Sequence, residues 1–205
     1  MLRNHLGLLV PDPTTAFLKK AVQKTFIDII TGEINMDIRI AGTVNDSIVD
    51  GNGIRFTIFT QGCPHHCKGC HNPQTHDFNG GTIISEEELL KSIKANPLLD
   101  GVTFSGGEPF CQAAALASIG KKIHSIGNLD IVTYTGYTFE ELINGFDKHP
   151  EWKELLEETD ILIDGRFEES LKSYDIRFRG SKNQRYLDAK ESLRQNIPID
   201  AKLPE

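Results

Sequence analysis

From Met36 onward the chain alternates strand-like and helix-like stretches, and that order limits the folds open to it. Residues 36–40 read as a short strand. Residues 54–60 set Ile54, Phe56 and Ile58 against Arg55 and Thr57, the two-residue period of a strand. Residues 101–105, 129–135 and 161–164 read as further strands. Helix signals lie between them. Ser85-Glu86-Glu87-Glu88 is a capping box for a helix that ends before Pro97. A second helix is expected over 112–125, a third opens at Thr138, and Pro150 suits the first turn of a fourth. The expected class is α/β, with a mainly parallel sheet or an open partial (β/α) barrel and helices outside.

Residues 1–35 have a different character. Pro11 and Pro13 interrupt the start, and Thr14 or Thr15 then caps a helix with Phe17, Leu18, Ala21 and Val22 near one face. Met36 would serve as a start in its own right. The segment is expected to be an N-terminal helical appendage without a catalytic part, and residues 36–205 the catalytic domain.

Residues 61–82 form a long loop rich in Gly, Pro, Cys and His. Loops of that length are functional or disordered, and the density of metal-binding side chains favours function. Three of the four cysteines fall in Cys63-Pro64-His65-His66-Cys67-Lys68-Gly69-Cys70. Three crowded thiols cannot all pair with one another, and cytosolic chains seldom use disulfides, so metal ligation is the leading reading. Zinc would take four ligands, and His65, His66 or His71 would complete the count. A four-cysteine iron–sulfur site is disfavoured, because Cys111 lies 41 positions beyond Cys70 and reads as a small buried residue. Three thiolates on a cubane leave one iron open, as a reactive centre needs.

A second signal, Ser105-Gly106-Gly107-Glu108-Pro109, sits where a strand ends. Two glycines allow close backbone approach to a ligand, and Glu108 adds an acceptor for an ammonium group. The bulk numbers bound the partners. A formal charge of -7 argues against a general nucleic-acid binder. No apolar run approaches the ~18–20 residues of a membrane helix. The start lacks a signal-peptide pattern, so a cytoplasmic location is expected. Charge is uneven: residues 139–160 are acidic and the stretch after them is basic. That stretch is either a solvated face or a face for a partner.

The cysteine spacing, in a loop after a strand, resembles the cluster motif of the radical S-adenosylmethionine (SAM) superfamily. The resemblance implies a [4Fe–4S] cluster on Cys63, Cys67 and Cys70, with SAM chelating the open iron. It implies reductive cleavage of SAM to methionine and a 5′-deoxyadenosyl radical. Gly106, Gly107 and Glu108 resemble the family's Gly-Gly-Glu motif, which binds the SAM amino group. Asp50-Gly51-Asn52-Gly53-Ile54-Arg55 resembles a segment of glycyl-radical-enzyme activases, with Asn52 in place of proline. Cys70-His71-Asn72 matches another, and implies that Gly69 and His71 lie against the adenine. Arg179-Gly180-Ser181-Lys182-Asn183-Gln184-Arg185 resembles the signature of the activases of anaerobic ribonucleoside-triphosphate reductase. The implied reaction is hydrogen abstraction from a glycine of that large partner, with a flavodoxin-like electron donor. No general base is implied. Arg179 and Arg185 either dock the partner or tie a sheet edge to the core. An activase of the pyruvate formate-lyase type and a zinc-binding interaction module are the alternatives.

Overall fold

The computed structural model describes residues 36–203; the helix expected within residues 1–35 lies outside them. The strands are β1 (Asp37–Ser47), β2 (Arg55–Thr60), β3 (Thr82–Ser85), β4 (Gly101–Gly106), β5 (Asp130–Tyr134), β6 (Ile161–Asp164) and β7 (Arg185–Asp188). The helices are α1 (Glu86–Ala95), α2 (Ala113–Ile126), α3 (Phe139–Gly145), α4 (Pro150–Glu158) and α5 (Ala189–Gln195). One open sheet has the order β3-β1-β2-β4-β5-β6-β7. Its centre, β2-β4-β5-β6, is parallel; β1, β3 and β7 flank it antiparallel. The sheet therefore keeps two edges and never closes.

Strand alternation gives the sheet two unlike faces. Phe56, Ile58, Val102, Phe104, Ile131 and Leu162 pack with the buried sides of the helices in one core. The intervening residues, among them Arg55, Thr57, Thr103 and Tyr134, face the other side. There only a small apolar group forms, around Val132, Ile163 and Tyr186. Capping boxes fix the starts of α1, at Ser85 with Glu88, and of α3, at Thr138 with Glu141.

Three features go beyond what the sequence pattern predicts. β1 runs eleven residues, not five, because its second half lies exposed and buries no face that a pattern could mark. β3 begins where the sequence still reads as loop; it has four residues, none fully buried. β7 and α5 carried no signal strong enough to read, since β7 offers only Tyr186 and Leu187 to bury.

The Asp50–Arg55 segment explains itself in the fold. Arg55 is completely buried. Its guanidinium donates to Thr103 Oγ1 at 2.7 Å and to the carbonyls of Asn52 at 2.9 Å, Val102 at 2.8 Å and Asp130 at 3.1 Å. The Asp130 carboxylate lies 2.6 Å away, off the N–H direction, as an ion pair rather than a hydrogen bond. Gly51 makes room, since a Cβ there would stand 2.6 Å from Arg55 Cδ. Arg55→Leu should lower the unfolding free energy by about 3–5 kcal/mol, because four acceptors and the Asp130 carboxylate lose their partner. Urea unfolding of the cluster-free protein checks this. Lysine, a point charge without the planar fork, should not restore it.

Candidate active site and metal centre

The C-terminal ends of β2, β4, β5 and β6 meet around one cavity of ≈ 340 Å³. Ligands bind at this end of parallel sheets, beyond the carboxyl ends of the strands. After β2 come Cys63, His65, Cys67, Cys70 and His71. After β4 come Gly106 and Gly107, after β5 Thr135 and Gly136, and after β6 Gly165 and Phe167. The basic segment returns to add Phe178, Arg179, Gly180 and Gln184.

The two motifs read from the sequence are one structure. Gly107 N–H donates to the Thr60 carbonyl and Glu108 N–H to the Gly62 carbonyl, both at 2.8 Å. Gly106 has φ +94, and a Cβ there would stand 2.6 Å from the β2 backbone at Phe59, while one at Gly107 would stand 2.4 Å from the Gly62 carbonyl oxygen of the cysteine loop. The glycines thus let the β4 turn lie against the start of the cysteine loop, as well as lining the cavity.

Glu108 is fully buried and does not line the cavity. Its Oε1 accepts from Phe110 N at 3.0 Å and Thr135 Oγ1 at 2.9 Å. Its Oε2 accepts from Gly136 N at 2.8 Å and pairs with His65 Nε2 at 2.7 Å. Four donors fill the acceptor sites of a carboxylate. Arg166 Nε donates to His65 Nδ1 at 3.3 Å, which leaves the His65 proton on Nε2, toward Glu108. A Cβ at Gly136 would stand 2.3 Å from the His65 ring. Glu108 therefore holds the cysteine loop against the ends of β4 and β5.

The remaining sequence candidates divide. His71 lines the cavity, and its ring lies 4.9 Å from that of Phe167. Gly69 does not; at φ +73 it turns toward Glu169. Cys111 is exposed rather than buried. Partial burial and the Glu108 charge nevertheless push its thiol up to about 12. Arg185 is bound to Asp164 and donates to Glu140 at 2.7 and 3.0 Å. The guanidinium holds the Glu140 carboxyl down at about 2. Arg185 thus ties the end of β6 to α3. Gln184 Oε1 accepts from Gly180 N at 2.8 Å while its Nε2 reaches the Gly165 carbonyl at 3.0 Å. Asn183 reaches the Arg166 carbonyl at 2.8 Å. The seven-residue signature staples the basic segment to the end of β6.

Sequence reasoning missed the Glu108 partnership of His65, and His76. The latter lines the cavity with Nε2 buried and unpartnered. No spacing rule marks a single loop histidine.

The donor set fits an iron–sulfur cluster. Cys63, Cys67 and Cys70 are free thiols on one cavity wall, with Cys63 buried and the other two half-buried. Burial raises the Cys63 and Cys67 thiols, opposed by backbone N–H groups of His65 and His66 at Cys63 and of Phe167 at Cys67. Asn72 N–H faces the Cys70 sulfur at 3.4 Å. Loading therefore displaces protons onto solvent, and the same N–H groups remain to stabilise thiolate. Among the described residues no three His, Cys, Asp or Glu side chains close around a single ion. A cubane takes each of the three thiolates on a different iron.

A family model described as a 4Fe-4S single cluster domain matches residues 49–187. The anaerobic ribonucleoside-triphosphate reductase-activating protein of Pasteurella multocida is 33% identical over 144 residues, 67% of this chain and 89% of that protein. The pyruvate formate-lyase-activating enzyme of Clostridium pasteurianum is 35% identical over 130 residues, 61% of this chain and 50% of that enzyme. The solved structure of QueE from Escherichia coli aligns over 50% of this chain and 54% of its own, with TM-score 0.40 and 20% identity, too distant to inform the site. With a family match over more than half the chain and a relative covered almost end to end, the chain belongs to the anaerobic ribonucleoside-triphosphate reductase-activating proteins, activases of the radical SAM type with a single [4Fe–4S] cluster.

Proposed function

We propose that Cys63, Cys67 and Cys70 hold the cluster and that SAM occupies the adjoining cavity, bounded by Gly106, Gly107 and His71. The observation that carries this is the meeting of three free thiols and the Gly-Gly turn on one cavity at the strand ends. When bound, that cofactor pair supplies reductive cleavage of a sulfonium and abstraction of hydrogen from a glycine of anaerobic ribonucleoside-triphosphate reductase. This chain's residues bind and orient. The backbone N–H groups at the sulfurs favour the thiolate form. His71 and Phe167 offer flat rings to the adenine. Glu108 acts as a positioning residue through His65 and leaves the SAM ammonium to backbone carbonyls. Gly69 acts through the shape of the loop.

Residues 36–205 are the catalytic unit in this reading, with 1–35 an appendage. The electron donor is a flavodoxin-like protein, and the enzyme works in the cytoplasm without nucleic acid or membrane. Among the described residues no helix is long and apolar enough to cross a membrane.

The decisive experiment is anaerobic reconstitution, with about four irons per chain expected. Dithionite-reduced protein should then convert SAM to methionine and 5′-deoxyadenosine. Addition of the reductase should give a glycyl radical by electron paramagnetic resonance. A colourless, zinc-loaded protein would sink the proposal. Replacing Cys63, Cys67 or Cys70 by alanine should abolish both cluster and cleavage, whereas Cys111→Ser should spare both. Glu108→Gln puts an NH₂ group where oxygen accepts, and should cost the cluster-free protein about 1–3 kcal/mol in urea. A carboxylate that served only the bound ligand would leave that value unchanged.

A further inference from the structure

A second groove, of ≈ 420 Å³, opens from the mouth of the cavity and shares Val49, His71, Phe178, Arg179 and Gly180 with it. Its outer walls are Ile48, on the turn after β1, and Lys172, Ser173, Tyr174 and Ile176. Ile48 is 73% exposed and Tyr174 88%. Large apolar side chains left this open beside a functional cavity mark a surface that another molecule covers.

The charge of the groove is equally one-sided. Lys172, Arg177 and Arg179 line it and no carboxylate does, although the whole chain carries -7. Asp175 belongs to the same segment but lies outside the lining. The wall is also built in advance. A bridge between Lys172 and Ser181 closes the segment into a loop. Ser173 N–H donates to the Gly180 carbonyl at 3.2 Å, and Tyr134 OH donates to the Phe178 carbonyl at 2.7 Å. Phe178 is held at φ +63, a conformation a bulky residue adopts only when its surroundings impose it.

We infer that this groove docks the reductase, receiving a polypeptide segment that carries apolar and acidic side chains and leads its glycine to the cavity. The inference rests on the activase reading given above. A small ligand would leave Ile48 and Tyr174 in water, whereas a peptide covers them and offers carboxylates to the cations. Docking thus falls to the groove.

Two full-length variants test it, both outside the cavity lining: Ile48→Ser with Tyr174→Ser, and Lys172→Glu. Both should load iron normally and cleave SAM without partner within about twofold of the parent. Affinity for purified anaerobic ribonucleoside-triphosphate reductase should fall at least about tenfold in each. The ionic-strength dependence should flatten in Lys172→Glu. Unchanged affinity in both variants overturns the inference. So does a parallel loss of partner-free SAM cleavage, which would make the groove part of the cavity's shape, or a change in self-association alone, which would make it an interface between copies. A parent protein that binds the reductase through these residues yet fails to cleave SAM would instead overturn the activase reading and leave the groove standing.

Discussion

The Glu108 carboxylate draws donors from three loops: the turn after β4, the end of β5, and the cysteine loop through His65. Removing a carboxylate from water costs several kcal/mol, and only a full complement of donors offsets that cost. The network is therefore close to all-or-none. Any displacement of the cysteine loop strips a donor from a buried charge. That constraint sets where the three thiols stand before any metal arrives, and it ties them to the same turn that bounds the rest of the cavity.

The thiols themselves are arranged by backbone. Peptide N–H groups face each of the three sulfurs, contributed by the loop and by Phe167 from across the sheet. Peptide donors need no titratable side chain and survive most substitutions of the residue that bears them.

Much of this was legible in the sequence because it depends on local chemistry. Cysteine spacing, the two capping boxes and the period of β2 each need only a few neighbouring residues. What escaped depends on distant partners. Glu108 looks like a ligand acceptor until His65, 43 positions earlier, is seen beside it. Arg185 looks like a free cation until Glu140 and Asp164 close on it. The exposed half of β1 and the short edge strands β3 and β7 bury too little to leave a periodic trace. Cys111 seemed a buried filler, but the turn at Pro109–Gln112 presents it outward.

The two faces of the sheet interleave residue by residue. Phe56 and Ile58 belong to the helix-packed core, while their neighbours Arg55 and Thr57 belong to the opposite face. Chemistry and durability are therefore braided along every central strand rather than parcelled into separate segments. Exchanging whole fragments between such proteins would carry both traits across together. Single replacements can alter one and spare the other, so specificity is free to drift by point changes while the scaffold beneath it holds.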